Sequence, residues 1–197
     1  LAYEGYKVLA FDLDKAVENV KGVQAMVADV SKVDHVEAVV EKANELGVIK
    51  VVVNNAGAWR KTPVDSPWEQ ALSDWDHIMD TNLKGVLMLS RASIPYMKAK
   101  GGNIVNISSY YVLPAKSAGT NPPDTDLYNA SKWALNGFTD AWAKYLDQYE
   151  IRVNGMCMGA VDTPMLRGLY HDNKLPDEMA AVVMSIDDIS QQLIDII

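Results

Sequence analysis

The chain has 197 residues, of which 49% are hydrophobic and 22% charged, a composition typical of one globular domain. Its formal net charge of −8 argues against a nucleic-acid-binding protein, because such proteins carry a basic face. The sequence also lacks an apolar run long enough for a membrane span, and its first residues do not form a signal peptide. A single cysteine, Cys157, excludes an internal disulfide and indicates a reducing, cytoplasmic location. The three histidines are far apart in the sequence, so we expect no zinc or other metal site.

Short apolar segments alternate with helical patterns along the chain, which predicts a parallel sheet with helices on both faces. The predicted strands, in chain order, are 7–11, 23–28, 48–53, 103–107 and 151–156. The predicted helices are 31–47, 73–99 and 126–148, followed by short helices beyond Pro164. Ser31 is the predicted N-cap of the first helix, because its hydroxyl can accept a hydrogen bond from a free backbone N–H group. The absence of repeats and linkers favours one domain over residues 1–197.

Polar or glycine residues follow each predicted strand. They are Asp12, Asp29, the segment Asn54-Asn55-Ala56-Gly57, the pair Ser108-Ser109, and Gly159. Each of these residues is also a common turn former, so no single one is informative. Ligands bind beyond the carboxyl ends of the strands in open α/β sheets, and the whole set therefore predicts a ligand site at this edge.

Three tyrosines have a lysine four residues later, at Tyr3/Lys7, Tyr96/Lys100 and Tyr128/Lys132. This spacing arises by chance in a chain with nine tyrosines, so location has to separate the pairs. The first pair lies at the approach to a strand, and the second lies before Gly101-Gly102 at the opposite edge of the sheet. Only Tyr128 and Lys132 lie near the start of a helix that follows the Ser108-Ser109 strand end. We therefore expect this third pair to carry the chemistry.

Five segments together resemble the short-chain dehydrogenase/reductase family. They read VVVNNAG at 51–57, TNLKG at 81–85, GGNIVNISS at 101–109, YNASK at 128–132, and IRVN to GAVDTPM at 151–165. The segments occur in the family's order and cover most of the chain. The resemblance implies a Rossmann-like, doubly wound parallel sheet in a single three-layer α/β/α domain, with hydride transfer between a nicotinamide cofactor and an alcohol or ketone.

The resemblance also implies a role for four residues. Tyr128 would be the acid/base, Lys132 would lower its pKa and bind the nicotinamide ribose, and Ser109 would hold the substrate oxygen, with Ser108 as the alternative. Asn82 would support a water in a proton relay. This division of labour is chemically reasonable, because a phenol with a pKa near 10 needs a nearby cation to act as a base at neutral pH.

A carboxylate at the end of the first strand favours NAD over NADP. Asp12 can accept hydrogen bonds from the adenosine ribose hydroxyls and would repel a 2′-phosphate. The resemblance adds further cofactor contacts beside Tyr128 and Lys132, at Asp29, Val30, Asn55, Ala56, Gly57, Val161 and Thr163. Met158 stands where the family usually has a proline before the glycine of its last motif, which affects the loop but not Thr163.

Two further departures from the family pattern stand out. The interval between Ser109 and Tyr128 is longer than the family commonly shows, and its Pro- and Gly-rich residues predict an extended loop beside the substrate pocket. The glycine-rich phosphate loop that precedes a strand like 7–11 and the family's last strand do not occur in this sequence. We expect both to be omitted from the sequence as given or disordered, since loss of a central strand would expose a large apolar edge.

The expected substrate is a hydrophobic or cyclic secondary alcohol or ketone. This expectation depends on large side chains near the site, namely Trp59, Trp68, Tyr110, Tyr111, Met158 and Met165, and on the segment 166–179. The alternatives are a 3-ketoacyl thioester reductase that uses NADPH, and a catalytically silent NAD-binding sensor or assembly subunit. Family members usually associate through two long helices, so we expect a homodimer or homotetramer without nucleic-acid or membrane partners.

Overall fold

The structure is a computed structural model that describes residues 1–113 and 122–197. The strands in these residues are β1 Leu9–Asp12, β2 Gln24–Val27, β3 Val51–Asn54, β4 Gly102–Ile107 and β5 Ile151–Met156. The α-helices are α1 Val33–Leu46, α2 Trp68–Met79, α3 Val86–Met97, α4 Asp126–Leu146, α5 Pro164–Arg167, α6 Asp177–Ala180 and α7 Ile186–Ile196. These elements confirm the predicted α/β fold, and the strands follow one another along the chain as predicted.

All strand pairs are parallel, but they form two sheets. Strand β1 pairs with β2, with Leu9 opposite Gln24, and the second sheet has the order β3-β4-β5. The inner edges of β1 and β3 face each other across a cavity of about 1220 Å³ that both strands line. Among the described residues no strand bonds to both inner edges, so the predicted parallel α/β sheet occurs in two parts.

Helices cover both faces of the second sheet, and successive side chains of its strands point to opposite faces. Ile104 of β4 packs in a core cluster with Val39 of α1 and Leu89 of α3. The neighbouring residue Val105 lies on the other face, where Leu193 of α7 packs against its cluster. Successive β4 side chains thus enter different apolar layers, which gives the predicted helix–sheet–helix arrangement.

The long helix begins earlier than predicted and is irregular at its centre. Helix α2 starts at Trp68 rather than residue 73, directly after Pro67 at the cap position. A π-helical segment, Asp80–Gly85, joins α2 to α3. At Gly85 a Cβ atom would lie 2.8 Å from Val30 Cγ2, so the absence of a side chain allows this turn to approach Val30 closely.

Two other boundaries also differ from prediction. Lys32, not Ser31, occupies the N-cap position of α1 and makes no side-chain cap bond. The backbone N–H group of Ser31 instead donates a hydrogen bond to Asp29 Oδ1 at 2.8 Å. Helix α4 ends at Leu146 and continues as the 3₁₀ turn Asp147–Tyr149. The predicted extended loop falls largely on residues 114–121, outside the described residues.

No helix among residues 1–113 and 122–197 is long and apolar enough to cross a bilayer. Within the same part of the chain, no three His, Cys, Asp or Glu residues are grouped in a way that could hold a metal ion.

The close approach at Gly85 can be tested with two glycine-to-alanine changes in helices. We expect Gly85→Ala to lower the free energy of unfolding by about 1–3 kcal/mol, because the new methyl group overlaps Val30. Gly137→Ala in α4 is the control: its Cβ position has no atom within 4 Å, and alanine should stabilise that helix by about 0.5–1 kcal/mol. Urea unfolding measures both, and a neutral Gly85→Ala would contradict the packing argument.

Candidate active site

The carboxyl end of β3 and the first turns of α4 meet at Gly57. A Cβ atom on Gly57 would lie 4.0 Å from Lys132 Nζ and 3.7 Å from Asn82 Oδ1. Lys132 is buried, and its ammonium group donates a 2.7 Å hydrogen bond to the carbonyl oxygen of Ile107 at the end of β4. The structure thus brings together a lysine and an asparagine that are 50 residues apart in the sequence.

The amide of Asn82 joins the loop after β3 to helix α4. Its Oδ1 accepts a 2.6 Å hydrogen bond from the N–H group of Ala58, and its Nδ2 donates to the Ala58 carbonyl at 3.0 Å. The second Nδ2 hydrogen goes to Ser131 Oγ, also at 3.0 Å. Both N–H groups of this fully buried side chain are therefore in use, and the side chain acts by holding the two segments together.

The two serines after β4 point to different partners. Ser109 lies close to Tyr128, where its hydroxyl acts to lower the pKa of that phenol, and its Oγ accepts from the N–H group of Tyr111 at 3.3 Å. Ser108 donates to Asn136 Oδ1 at 3.1 Å, on the third turn of α4. The geometry therefore favours Ser109, and not the alternative Ser108, as the serine beside the tyrosine.

Burial governs the ionisation of the Tyr128/Lys132 pair. It raises the pKa of Tyr128, an effect that the nearby Ser109 hydroxyl only partly offsets. Burial also lowers the pKa of Lys132 to about 8. Lys132 Nζ lies 5.7 Å from the centre of the Tyr128 ring and donates to Ile107. In this structure Tyr128 is thus a protonated phenol at neutral pH. Burial has a larger effect on its pKa than the lowering that we expected from Lys132.

The other two tyrosine–lysine pairs lie away from this site. Tyr3 is fully exposed in a short 3₁₀ turn, and Lys7 donates to the carbonyl of Leu46. Tyr96 is 42% exposed in the last turn of α3, and Lys100 lies beside Gly101 at the opposite edge of the sheet.

One cavity is lined by eight of the ten residues that we expected to contact the cofactor, and Tyr128 and Lys132 are not among its lining residues. Those that line it are Asp12, Asp29, Val30, Asn55, Ala56, Gly57, Val161 and Thr163. Asp12 is exposed at the end of β1, where its carboxylate accepts a hydrogen bond from the N–H group of Asp14. Burial raises the pKa of Asp29, but hydrogen bonds from Ser31 and the charges of Lys32 and His35 outweigh it and lower the pKa overall.

Three of these residues have structural contacts of their own. Val30 is buried against Gly85, so it presents little surface to a ligand. Thr163 caps helix α5, and its Oγ1 accepts from the N–H group of Leu166 at 3.3 Å. Val161 forms an isolated β-bridge with Met184 that holds the same loop.

The expected substrate residues separate into three groups. Trp59, Met158 and Met165 line the cavity. Tyr110 and Tyr111 begin a 3₁₀ turn directly after Ser109, with ring centres 4.5 Å apart. Trp68 is the first residue of α2, which begins five residues earlier than predicted. Its side chain points to solvent and is 82% exposed.

Three residues of the site were not predicted from the sequence. Ser131 bonds both Asn82 and the carbonyl of Tyr128, the latter at 2.7 Å. His77 lines the cavity, and burial lowers its pKa. Tyr170 lies near enough to Tyr111 to contribute to the raised pKa of that phenol. Ser131 is inside the YNASK segment and could have been found there; the other two have no sequence signal.

Comparison with known proteins identifies the family of the chain. The family model described as short chain dehydrogenase matches residues 1–174. The chain belongs to the short-chain dehydrogenase family.

A relative of this short-chain dehydrogenase is the 3-oxoacyl-[acyl-carrier-protein] reductase FabG of Thermotoga maritima. The two are 36% identical over 195 residues, which covers 93% of this chain and 73% of the relative. The chain spans a smaller share of other relatives, down to 48% of their length.

Two solved structures have the same fold. One is a 3-ketoacyl-(acyl-carrier-protein) reductase from Brucella melitensis complexed with NADH, with a TM-score of 0.82 and 27% identity, covering 98% of this chain and 80% of that one. The other is a gluconate 5-dehydrogenase from Burkholderia cenocepacia J2315 in complex with NADP and tartrate. Its TM-score is 0.74 at 27% identity, and the match covers 87% of this chain and 68% of that one.

Replacing the buried lysine of this short-chain dehydrogenase should increase stability. We expect Lys132→Met to raise the free energy of unfolding at pH 7 by about 1–3 kcal/mol, since the desolvation that lowers the lysine pKa is removed. The folded-state pKa is about 8 and the unfolded value 10.5, so the wild type gains stability as pH rises through this window. The advantage of the variant should therefore be largest below pH 8 and shrink towards pH 10.5. Urea unfolding at several pH values measures it, and a variant less stable throughout would contradict this.

The different partners of the two serines lead to a second expectation. Ser109→Ala should lower kcat/KM by about 10²–10³-fold, because a hydrogen-bond donor beside Tyr128 is lost. Ser108→Ala removes a bond to Asn136 instead and should keep activity within about tenfold of the wild type. Steady-state kinetics compares them, and equal losses would mean that the two serines share the role.

Proposed function

We propose that this short-chain dehydrogenase transfers a hydride between NAD(H) and a secondary alcohol or ketone, with Tyr128 as the acid/base. The observation that carries the proposal is the grouping of Ser109, Tyr128, Lys132 and Asn82 beside Gly57. Gly57 also lines the large cavity, so this group lies at one end of a space that is wide enough for a dinucleotide.

The proton chemistry follows from burial. A protonated Tyr128 can donate to a substrate oxygen during reduction, while Ser109 holds that oxygen within reach. In the oxidative direction Tyr128 has to lose its proton, which burial opposes. The buried ammonium group of Lys132 offsets this cost when the phenolate forms, because opposite charges attract strongly away from water. Asn82 supports the proton path by fixing the Ala58 loop and α4.

The cofactor would supply and accept the hydride. The chemistry of these residues fits a dinucleotide, since Asp12 on the cavity wall offers an exposed carboxylate to ribose hydroxyls, and Lys132 offers a cation beside Gly57, which also lines the cavity. The carboxylate of Asp12 supports NAD over NADP by charge repulsion. Asp29, Asn55 and Ala56 would lie along the adenosine, with Val161 and Thr163 near the nicotinamide.

The proposed substrate is hydrophobic or cyclic. The support is the set of large side chains around the site, Trp59, Tyr110, Tyr111, Met158 and Met165. Burial raises the pKa of Tyr111, so its phenol stays neutral and this wall carries no charge at neutral pH. A neutral wall of this kind suits an apolar substituent next to the reacting carbonyl.

The second candidate is reduction of a 3-oxoacyl thioester. The specific support is the similarity to the 3-oxoacyl-[acyl-carrier-protein] reductase of Thermotoga maritima. A third possibility, a silent NAD-binding sensor or assembly subunit, is disfavoured by the complete set of four catalytic side chains.

An assembly of two or four copies is also part of the proposal. Trp68, Leu72 and Trp75 are 82%, 58% and 49% exposed and share one face of α2 at helical spacing. Trp133 on α4 is 45% exposed. These two helices are the ones through which we expect copies to associate. A cytoplasmic location is likewise proposed, from the single free cysteine alone.

Tyr128→Phe separates an enzyme from a sensor. We expect the variant to lose more than about 10³-fold in turnover while NADH binding changes little, because only the proton donor is removed. Absorbance at the NADH band measures turnover with a panel of cyclic and acyclic ketones and with a 3-oxoacyl thioester, each with NADH and NADPH.

The outcomes of this screen distinguish the candidates. Turnover of hydrophobic ketones with NADH supports the proposal, and preference for the thioester with NADPH supports the second candidate. Activity on polyols but not on hydrophobic alcohols would overturn the proposed substrate class. An unaffected Tyr128→Phe variant would overturn the role of the tyrosine.

A further inference from the structure

The segment after β3 crosses from the cavity to the start of α4. It begins at Gly57 and Ala58, beside the proposed cofactor and catalytic groups, and reaches α4 at Thr62. Ala58 is held at the near end by Asn82. What holds the far end determines how firmly the first turn of α4 is placed against this segment.

Thr62 makes that second attachment. Its side chain is buried, and its hydroxyl donates a 2.5 Å hydrogen bond to Asp126 Oδ1 on the first residue of α4. Its backbone N–H group donates to the carbonyl of Asp124 at 2.6 Å, and Thr62 forms a β-bridge with Thr125. Backbone and side chain therefore both connect residue 62 to the helix start.

The acceptor in this bond also organises the helix. Asp126 Oδ1 accepts from the N–H group of Leu127 at 2.7 Å, so one oxygen serves both the loop and a free N–H group of the first turn. Tyr128 follows two residues later, and Lys132 one turn beyond it. A shift of Asp126 would move the phenol relative to Ser109, which belongs to the end of β4 rather than to α4.

We propose that Thr62 is a positioning residue for proton transfer, and that its bond to Asp126 keeps the Tyr128 hydroxyl aligned with Ser109 and the cavity. The inference rests on the proposed function. Catalytic groups tolerate little displacement, and a misplacement of about 1 Å can cost about 10²-fold in rate. Thr62 touches neither the proposed substrate nor the cofactor, so its effect passes entirely through α4.

The neighbouring Lys61 provides a matched control. Its ammonium group pairs with Asp124 at 3.3 Å and connects the same two segments, but its side chain is 70% exposed. Exposed ion pairs contribute little. The buried hydroxyl bond, and not the nearby charge pair, is therefore the contact that should affect catalysis.

The test compares Thr62→Val, Thr62→Ser and Lys61→Met. We expect Thr62→Val to lower kcat by about 10–100-fold with KM for NADH changed less than about threefold, because the shape is kept and only the hydroxyl is lost. Thr62→Ser keeps the hydroxyl and should remain within about threefold of the wild type, as should Lys61→Met. Asp126→Ala should lose at least as much as Thr62→Val, because it also removes the acceptor of the Leu127 N–H group, and the double variant should lose no more than Asp126→Ala alone.

Two results would overturn the inference: a Thr62→Val enzyme with wild-type kcat, or a Thr62→Ser enzyme as impaired as Thr62→Val. Hydrogen exchange provides a measurement that needs no turnover. Amides of residues 127–132 should exchange faster in Thr62→Val than in Thr62→Ser, and unchanged exchange would also overturn the inference. A wild-type protein without turnover would instead count against the proposed function, while the exchange measurement still decides the role of Thr62.

Discussion

The arrangement of the site depends on the buried amide of Asn82. Its hydrogen bonds satisfy the backbone of Ala58 and the hydroxyl of Ser131, and so tie the loop after β3 to α4, the helix that carries Tyr128 and Lys132. Without this amide, the buried N–H and carbonyl groups of Ala58 would have no partner, which costs more than the bonds themselves contribute. The π-helical segment and the close approach at Gly85 place Asn82 at this junction.

Near this junction, a buried charge destabilises the folded protein. Lys132 is a buried cation whose direct partner is the carbonyl of Ile107 rather than a carboxylate. A full ion pair would make the lysine more stable in its folded position but would also neutralise its effect on Tyr128. The site thus keeps an incompletely compensated charge next to a phenol, an arrangement that favours chemistry at the expense of stability.

Several features could be predicted because their causes are local. Strand β5 was predicted with its observed bounds, since apolar residues and a turn at either side define it. The observed start of α2 lies five residues before the predicted one. Pro67 and the polar residues after Trp68 are typical of a loop, so the sequence did not predict a helix there. The choice between Ser108 and Ser109 also needed the structure, because adjacent residues of the same type differ only in the face to which they point.

The sequence by itself determined the α/β layout, and it predicted the ligand-binding edge of the sheet and the choice of Tyr128 and Lys132 over two similar pairs. These depend on hydrophobic periodicity, turn residues and position along the chain, all of which act over short distances. Only the tertiary structure decided that Lys132 is buried, that Thr62 reaches Asp126, and that β1 and β3 face a cavity. Burial and hydrogen-bond partners are set by segments distant in sequence, whose contacts exist only once the helices have packed on the sheets.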